Sequence, residues 1–305
     1  MMIRRASIDL GTNTCLLLLA EWDGAQSGVQ QVIADVANVV RLGEGVDRTR
    51  KLQPAAMQRT LDCLYRYRDK VREAGVDPGQ VVCVATSQAR DASNSSEFFN
   101  KVRSETGFVF KTLTGDEEAR FTFEGALLPG MDVHQTTLLD IGGGSTELIT
   151  LNQATSIDMG SVRFTERFFK SDPVSPVSDE EFWACQSAID EALTPWTSWR
   201  KDHSKLDKLV GVAGTVTSLA AWHLGLQTFD SSRVNGAILT RGDVHRLVEE
   251  LKWRSVKERA ALPCMEPLRA DVILAGAMIF WRTMELLGFS ECTVSTRGLR
   301  FGVLK

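Results

Sequence analysis

Two short segments hold the residue types that could grip a phosphate. They are Ile8-Asp9-Leu10-Gly11-Thr12-Asn13-Thr14 and Leu139-Asp140-Ile141-Gly142-Gly143-Gly144-Ser145. A strand-to-strand turn rich in glycine and hydroxyl residues gathers backbone N–H groups into a concave anion nest. Glycine there tolerates positive φ and lets phosphate oxygens approach the main chain. Thr12, Thr14 and Ser145 add hydroxyl donors. The leading aspartates cannot bind phosphate themselves, because both partners are anionic. Each can hold a divalent cation that bridges to the phosphate. A single Asp-x-Gly is most often an Asx-capped turn. A matching pair, each at the end of one apolar strand and followed by another, reads as a two-part clamp on a phosphoanhydride.

Other acids and bases sit nearby in sequence. Glu147 follows Ser145 by two residues in a strand, so it shares a face with Ser145. Its plain alternative is an exposed strand glutamate; pointing toward the same cleft favours function. In Thr114-Gly115-Asp116-Glu117-Glu118-Ala119-Arg120, Thr114 and Glu117 fit a capping box, which gives Glu117 a structural job. Glu118 lies one residue step further round the helix, roughly 100°. A carboxylate there could orient an attacking water. First-turn acids also complement the helix dipole without any catalysis, so spacing alone leaves both readings open. Arg90 follows a strand, and its fork suits phosphate oxygens. A surface ion pair with Asp91 or Asp116 suits it equally. Gly211-Val212-Ala213-Gly214-Thr215 is a third glycine loop, whose helix N-terminus either receives phosphate or simply turns tightly. Arg269, Arg297 and Arg300, with Arg41, Arg90, Arg120 and Arg163, could supply a local positive field.

The elements that must position these groups follow from periodicity. Strands are expected at 6–9, 15–22 and 29–40, with Gly24 and Gly28 marking a turn. A helix over 54–73 carries Met57, Leu61, Leu64 and Val71 on one stripe. A strand at 81–85, a helix at 96–105, a strand at 108–113 and a helix from about Thr114 complete the first half. The second half repeats the opening, with strands at 137–140, 146–151 and 156–159. Helices follow, the clearest at 178–193, capped by Ser178 and Glu181 and closed by Pro195. A strand at 209–212, helices at 240–252 and 269–287 and a strand at 291–295 end the chain. The single internal duplication predicts two related lobes rather than a solenoid. The boundary falls near Gly125, giving an N-terminal lobe of 1–124 and a C-terminal lobe of 125–305. Residues 297–305 are expected to return to the first lobe.

Bulk properties exclude several classes. The 305 residues are 43% hydrophobic and 24% charged, as in ordinary globular proteins. No apolar run approaches the ~18 residues of a membrane span, and Asp9 and Asn13 interrupt any signal-peptide core after Arg4 and Arg5. Cys15, Cys63, Cys83, Cys185, Cys264 and Cys292 form no C-x-x-C pair, which suggests a reducing, cytoplasmic setting. Four histidines, none paired at i+4, argue against a histidine metal site. A net charge of −4 argues against nucleic-acid binding. Local fields still permit an anionic ligand.

In this order the motifs are those of a family. The chain resembles the exopolyphosphatase / guanosine pentaphosphate phosphohydrolase family through the Asp9 and Asp140 loops, Arg41-Leu-Gly-Glu-Gly45 and Ala85-Thr-Ser-Gln-Ala-Arg90-Asp-Ala-Ser-Asn94. Gly115-Asp-Glu-Glu-Ala-Arg120, Met159-Gly-Ser-Val-Arg163, Gly211-Val-Ala-Gly-Thr215, Arg269-Ala-Asp-Val-Ile273 and Arg297-Gly-Leu-Arg300 extend the likeness nearly end to end. The resemblance implies an α/β fold of two ribonuclease-H-like lobes, of the actin, sugar kinase and heat-shock chaperone group, with an interlobe cleft. It implies magnesium-dependent attack of water on a terminal phosphoryl group. Glu118 then matches the general base, and Asp140 and Glu147 the essential acids near Mg2+. Asp9 matches the first-loop acid near the metal. Arg90, Asn13, Gly143, Gly144 and Ser145 match phosphate-contacting positions. Thr12, Thr14, Gly142, Gly214 and Thr215 join that set as loop neighbours. Longer family members carry extra helical domains; this chain resembles the short, two-lobed form. Its first loop reads Gly-Thr-Asn-Thr where many members have Gly-Ser-Asn-Ser, which keeps every hydroxyl.

The expected substrate is inorganic polyphosphate, guanosine pentaphosphate or both, with no nucleic acid and no membrane as partner. Homodimerisation is left open. Two rival readings are a phosphotransferase of the same fold group and a non-catalytic sensor of guanosine tetra- or pentaphosphate. Retention of Glu118 beside Asp140 and Glu147 argues against the sensor.

Overall fold

Alternation decides the first strand. Arg5, Ser7 and Asp9 point one way and Ala6, Ile8 and Leu10 the other, with the apolar set fully buried. In the computed structural model β1 therefore runs over Met2–Leu10, longer than the expected 6–9, because Ile3, Arg4 and Arg5 also pair with the next strand. The structure describes residues 2–23, 28–170, 172–203 and 207–304; the turn expected at Gly24 lies outside them.

β2 (Thr14–Asp23) and β3 (Gly28–Val39) continue β1 as an antiparallel meander. β4 (Val82–Ala85) and β5 (Phe110–Thr112) join in parallel, giving the order β3-β2-β1-β4-β5. The second sheet repeats the plan. β6 (Thr136–Ile141), β7 (Thr146–Ile149) and β8 (Ala154–Ile157) form the meander. β9 (Lys208–Val212) is parallel to β6, β10 (Ile238–Thr240) is an antiparallel edge, and β11 (Glu291–Val294) lies between β9 and β10. Counted from its own first strand, each sheet begins third, second, first, fourth; a parallel strand follows, the fifth (β5) in the first sheet and the sixth (β11) in the second, where the fifth (β10) is the edge. This is the ribonuclease-H-like order, present twice. Parallel neighbours cannot be joined by a tight turn, so helices such as Pro54–Glu73 and Ala213–His223 make the crossovers.

The chain divides into unit 1, Met1–Gly125 with Gly298–Lys305, and unit 2, Ala126–Arg297. In unit 1, one sheet face packs Leu10, Cys15, Leu17 and Leu19 against Leu61, Leu64 and Phe98 of the helices Pro54–Glu73 and Ser95–Thr106. The other face packs Leu18, Ala20 and Trp22 against Phe301 and Leu304. Coverage on both faces explains the unbroken apolar run of β2. The helix Gly115–Ala126 meets the short helix Leu299–Gly302 backbone to backbone. A Cβ on Gly302 would fall inside the Phe121 carbonyl, and one on Gly125 inside the Gly298 carbonyl. Unit 2 is built around the helix Ile273–Leu287, whose residues are apolar and buried almost all round.

Several expected boundaries move. Pro195 opens the helix Thr194–Asp202 instead of only closing its predecessor Asp179–Ala192, because proline fits the first turn, where no intrahelical N–H bond is needed. The helix expected from Arg269 begins at Ile273, after a separate 3-10 turn, Pro267–Arg269. β7 stops at Ile149 because Thr150 turns the chain, its N–H donating to the Gln153 carbonyl. Arg90, expected just after a strand, lies on a short helix, Ser87–Asp91, that follows β4. Both expected capping boxes are present, at Thr114/Glu117 and Ser178/Glu181.

Candidate active site

The two Asp-x-Gly turns close in the same way. The Gly11 N–H donates to the Thr14 carbonyl at 2.9 Å, and the Gly142 N–H to the Ser145 carbonyl at 3.0 Å. Neither Gly11 nor Gly142 uses the left-handed conformation expected of them. The turns are instead fixed from behind by the segment after the third strand. In unit 1 the N–H groups of Val40 and Arg41 reach the Asn13 carbonyl, and that of Gly43 reaches Thr12. In unit 2 Ser161 reaches the Gly142 carbonyl, and Val162 and Arg163 reach Gly143. The Arg163 Nε adds a 2.7 Å bond to the Gly144 carbonyl.

These rear bonds aim the front of each loop. In a trans peptide the C=O and the following N–H point in opposite directions. With the Thr12 and Asn13 carbonyls turned back, the N–H groups of Asn13 and Thr14 point forward. With the Gly142, Gly143 and Gly144 carbonyls turned back, those of Gly143, Gly144 and Ser145 point forward. The result is an anion nest of two successive amides in unit 1 and three in unit 2. Gly43 and Gly160 occupy matching places behind the loops. A Cβ on Gly43 would overlap the Thr12 side chain, and one on Gly160 the backbone of Gly143 and Gly144.

Unit 1 gathers Asp9, Arg90 and Glu118. Arg90 Nη1 donates to Glu118 Oε2 at 2.8 Å and to the Leu113 carbonyl at 2.9 Å. Glu118 keeps 18% of its side-chain exposure. Burial raises its pKa, against the lowering effect of Arg90 and of a hydrogen bond from Thr86. Asp9, half-buried, is pushed up to about 7, first by burial and then by the Glu118 charge, with Arg300 opposing. Thr12 turns inward. Its hydroxyl lies 2.9 Å from Ser87 Oγ, and Gln88 Nε2 donates to the Leu10 carbonyl at 2.6 Å. Thr12 thus fastens the loop to the segment that carries Arg90. Asn13 is buried, and its Oδ1 accepts no hydrogen bond.

Unit 2 gathers Asp140, Glu147 and the triple-glycine turn. Asp140 and Glu147 are direct cross-strand partners, and Glu147 in turn stands opposite Ser156. All three therefore share a sheet face. Ser156 Oγ donates to Glu147 Oε1 at 2.9 Å, a contact the sequence reading missed. Two adjacent carboxylates are hard oxygen donors. No group of three or more His, Cys, Asp or Glu suited to a metal occurs among the described residues. That donor set fits magnesium, which keeps several waters and binds through one or two carboxylates plus substrate oxygens.

The third glycine loop has a structural account. Gly214 lies under the guanidinium of Arg269, which also donates to Ser218 Oγ at 3.0 Å, and burial lowers the Arg269 pKa to about 10. Thr215 is buried, close-packed on Gly276 of the central helix. The expected arginine field is also reduced. Arg300 is bound to Asp35, Arg269 is buried and Arg163 holds a loop carbonyl. Arg120 remains exposed, lying over the Phe121 ring.

Two ribonuclease-H-like α/β units, each with an aspartate-led glycine turn in the same place, define a duplicated α/β architecture. The chain belongs to the Ppx/GppA phosphatase family, whose model matches residues 23–305. Exopolyphosphatase 2 of Mycobacterium tuberculosis is 32% identical over 98% of this chain and 97% of its own length. The bifunctional 3-dehydroquinate synthase/phosphatase of Fusobacterium nucleatum is 30% identical over 98% of this chain, which spans only 46% of that protein. The crystal structure of the Aquifex aeolicus family member superposes with a TM-score of 0.74 at 30% identity, covering 100% of this chain and 97% of that one. An exopolyphosphatase from Cytophaga hutchinsonii superposes at 0.86 with 27% identity, covering 99% and 96%. Among the described residues no helix is long and apolar enough to cross a membrane.

Proposed function

We propose that the chain hydrolyses the terminal phosphoanhydride of inorganic polyphosphate, of guanosine pentaphosphate, or of both, with Mg2+ as cofactor. The observation that carries this reading is Glu118, a largely buried carboxylate held at 2.8 Å by Arg90 and electrostatically coupled to Asp9. A carboxylate whose pKa is raised by burial, yet oriented by a cation, suits a general base for water. Family membership supports phosphate-ester or anhydride chemistry, and the exopolyphosphatase relatives favour polyphosphate.

Each group then has a role. The forward amides of Asn13, Thr14, Gly143, Gly144 and Ser145 bind phosphate oxygens. Arg90 spends Nη1 on Glu118 and Leu113, which leaves its Nη2 edge for the terminal phosphate. Asp140 and Glu147 would hold the cation, and Asp9 is the acid at the matching place in the first loop. When bound, magnesium supplies charge neutralisation on the phosphate oxygens. Glu118 orients a water and takes its proton as oxygen attacks the terminal phosphorus in line with the leaving oxygen. Most of the rate enhancement then comes from positioning and charge stabilisation. Six cysteine thiols, five of them buried, suit a reducing cytoplasmic setting. The test compares phosphate release from long polyphosphate, short polyphosphate and guanosine pentaphosphate with magnesium. Release from none of the three sinks the proposal.

A further inference from the structure

In the sequence the motif Arg297-Gly-Leu-Arg300 stands out as a source of positive charge, as one segment of the family likeness and as the start of the return to the first lobe. Its place in unit 1 is more specific. On β1, Arg5, Ser7 and Asp9 lie in a row on the face that residues 298–304 cover. Arg5 Nη1 donates to the Leu304 carbonyl at 2.7 Å, and Ser7 Oγ to the Arg300 carbonyl at 2.6 Å. Asp9 is the next member of that row.

Across the sheet, Ser7 pairs with Leu18 and Leu18 with Asp35, so the three residues form one line. Arg300 lies along this line. Its carbonyl is bound at the Ser7 end, and its guanidinium grips Asp35 with two bonds of 2.8 Å at the other. A bidentate fork of this kind fixes direction as well as distance. The Arg300 side chain is only 9% exposed, so it cannot swing away into solvent.

The same segment also holds the helix that carries Glu118. Gly302 touches the Phe121 backbone, and Gly125 touches Gly298, at approaches that leave no room for a Cβ. One short segment thus anchors β1, which bears Asp9, and the helix Gly115–Ala126, which bears Glu118. The Glu118 charge disfavours an ionised Asp9 and the Arg300 charge favours it, while the Arg300 fork itself is held on Asp35.

We propose that Arg300 is a positioning residue for the Asp9 and Glu118 carboxylates, aimed by Asp35 and held by Ser7 and by the glycine crossing at Gly125 and Gly302. The inference rests on the proposed hydrolysis. Arg300 touches no substrate in this role; it sets where the two acids stand.

The test measures phosphate release from long polyphosphate with magnesium by the full chain and its Arg300→Met, Arg300→Lys and Asp35→Asn variants. A wild type that releases no phosphate overturns the hydrolytic reading itself. Given an active wild type, Arg300→Met is expected to lower kcat per folded molecule by about tenfold or more, with KM changed less than about twofold. Arg300→Lys should recover part of that loss by restoring the charge. Asp35→Asn, which keeps the cation but frees its fork, should lower kcat by a smaller factor. Full kcat in Arg300→Met, or a loss that merely tracks the unfolded fraction, overturns the proposal. If Arg300→Met does not fold, Asp35→Asn decides: wild-type kcat there overturns it, and a lowered kcat at constant KM supports it.

Discussion

Asp140 on β6 stands directly opposite Glu147 on β7, and Glu147 accepts a hydrogen bond from Ser156 on the next strand. Like charges placed directly across a ladder destabilise a sheet unless something draws them together. Under the proposed function a bound divalent cation would do so. Glu147→Gln and Asp140→Asn should each weaken magnesium or manganese binding by about 10- to 100-fold, the range seen when a metal ligand's support is lost. Titration calorimetry on the purified chain reads this without substrate. Undiminished affinity in both variants removes these residues from the metal site.

Glu118→Gln should keep the fold and lower turnover by about 10²- to 10⁴-fold, as expected for a lost general base. Far-ultraviolet circular dichroism checks the fold and phosphate release checks the rate. Near-normal release means the water is activated elsewhere.

The pH profile should show the same group. Burial raises Glu118, and the base must be ionised, so kcat/KM should climb with pH along a limb displaced above the ordinary glutamate range. Arg90 holds that pKa down. Arg90→Met should therefore shift the limb further toward alkaline pH, whatever it does to KM. A limb unmoved by that change would separate Arg90 from the base.

Asp9 should cost stability as it ionises. Its folded-state pKa of about 7 lies above the 3.8 of an unperturbed aspartate, so the folded chain holds the proton more tightly than the unfolded one. That contribution is fully present below about pH 4 and is lost as pH rises through about 7. Asp9→Asn, which cannot ionise, should raise the melting temperature relative to wild type more at pH 8 than at pH 5, in metal-free buffer. An equal shift at both values contradicts the elevated pKa.

The duplicated loops should respond unequally to one added methyl. On Gly160 a Cβ meets the Gly143 and Gly144 backbone, whereas on Gly43 the main obstacle is the Thr12 side chain, which can turn aside at the loss of its Ser87 contact. Gly160→Ala should destabilise by roughly 1–3 kcal/mol, as overpacking does, and Gly43→Ala by less. Urea midpoints at a common m-value give the comparison.

Local chemistry was the part of this site most open to reading from sequence. The Asp9 and Asp140 loops announce themselves because a nest needs glycine and hydroxyl residues in consecutive positions. The Thr114/Glu117 box is equally local. Long-range partners left no such mark. Arg300 finds Asp35 265 positions away, and nothing near either residue in the sequence foretells the pair. Glu147 was placed by strand parity beside Ser145, but its partnership with Asp140 depends on the register that the turn at Gly142 sets. The glycines were expected to bend the chain through positive φ. At Gly43 and Gly160 they are needed because another segment passes too close for a side chain. Arg163 counted toward a local positive field because the sequence cannot show that its Nε donates to the Gly144 carbonyl.

The return of residues 298–304 to unit 1 has a consequence for biosynthesis. While the ribosome is still making unit 2, the face of β2 bearing Leu18, Ala20 and Trp22 has no cover, because Phe301 and Leu304 do not yet exist. Unit 2 is contiguous in sequence and can close as it emerges. The unit translated first is therefore the last to be completed, and for most of synthesis it presents an apolar sheet face of the kind chaperones bind.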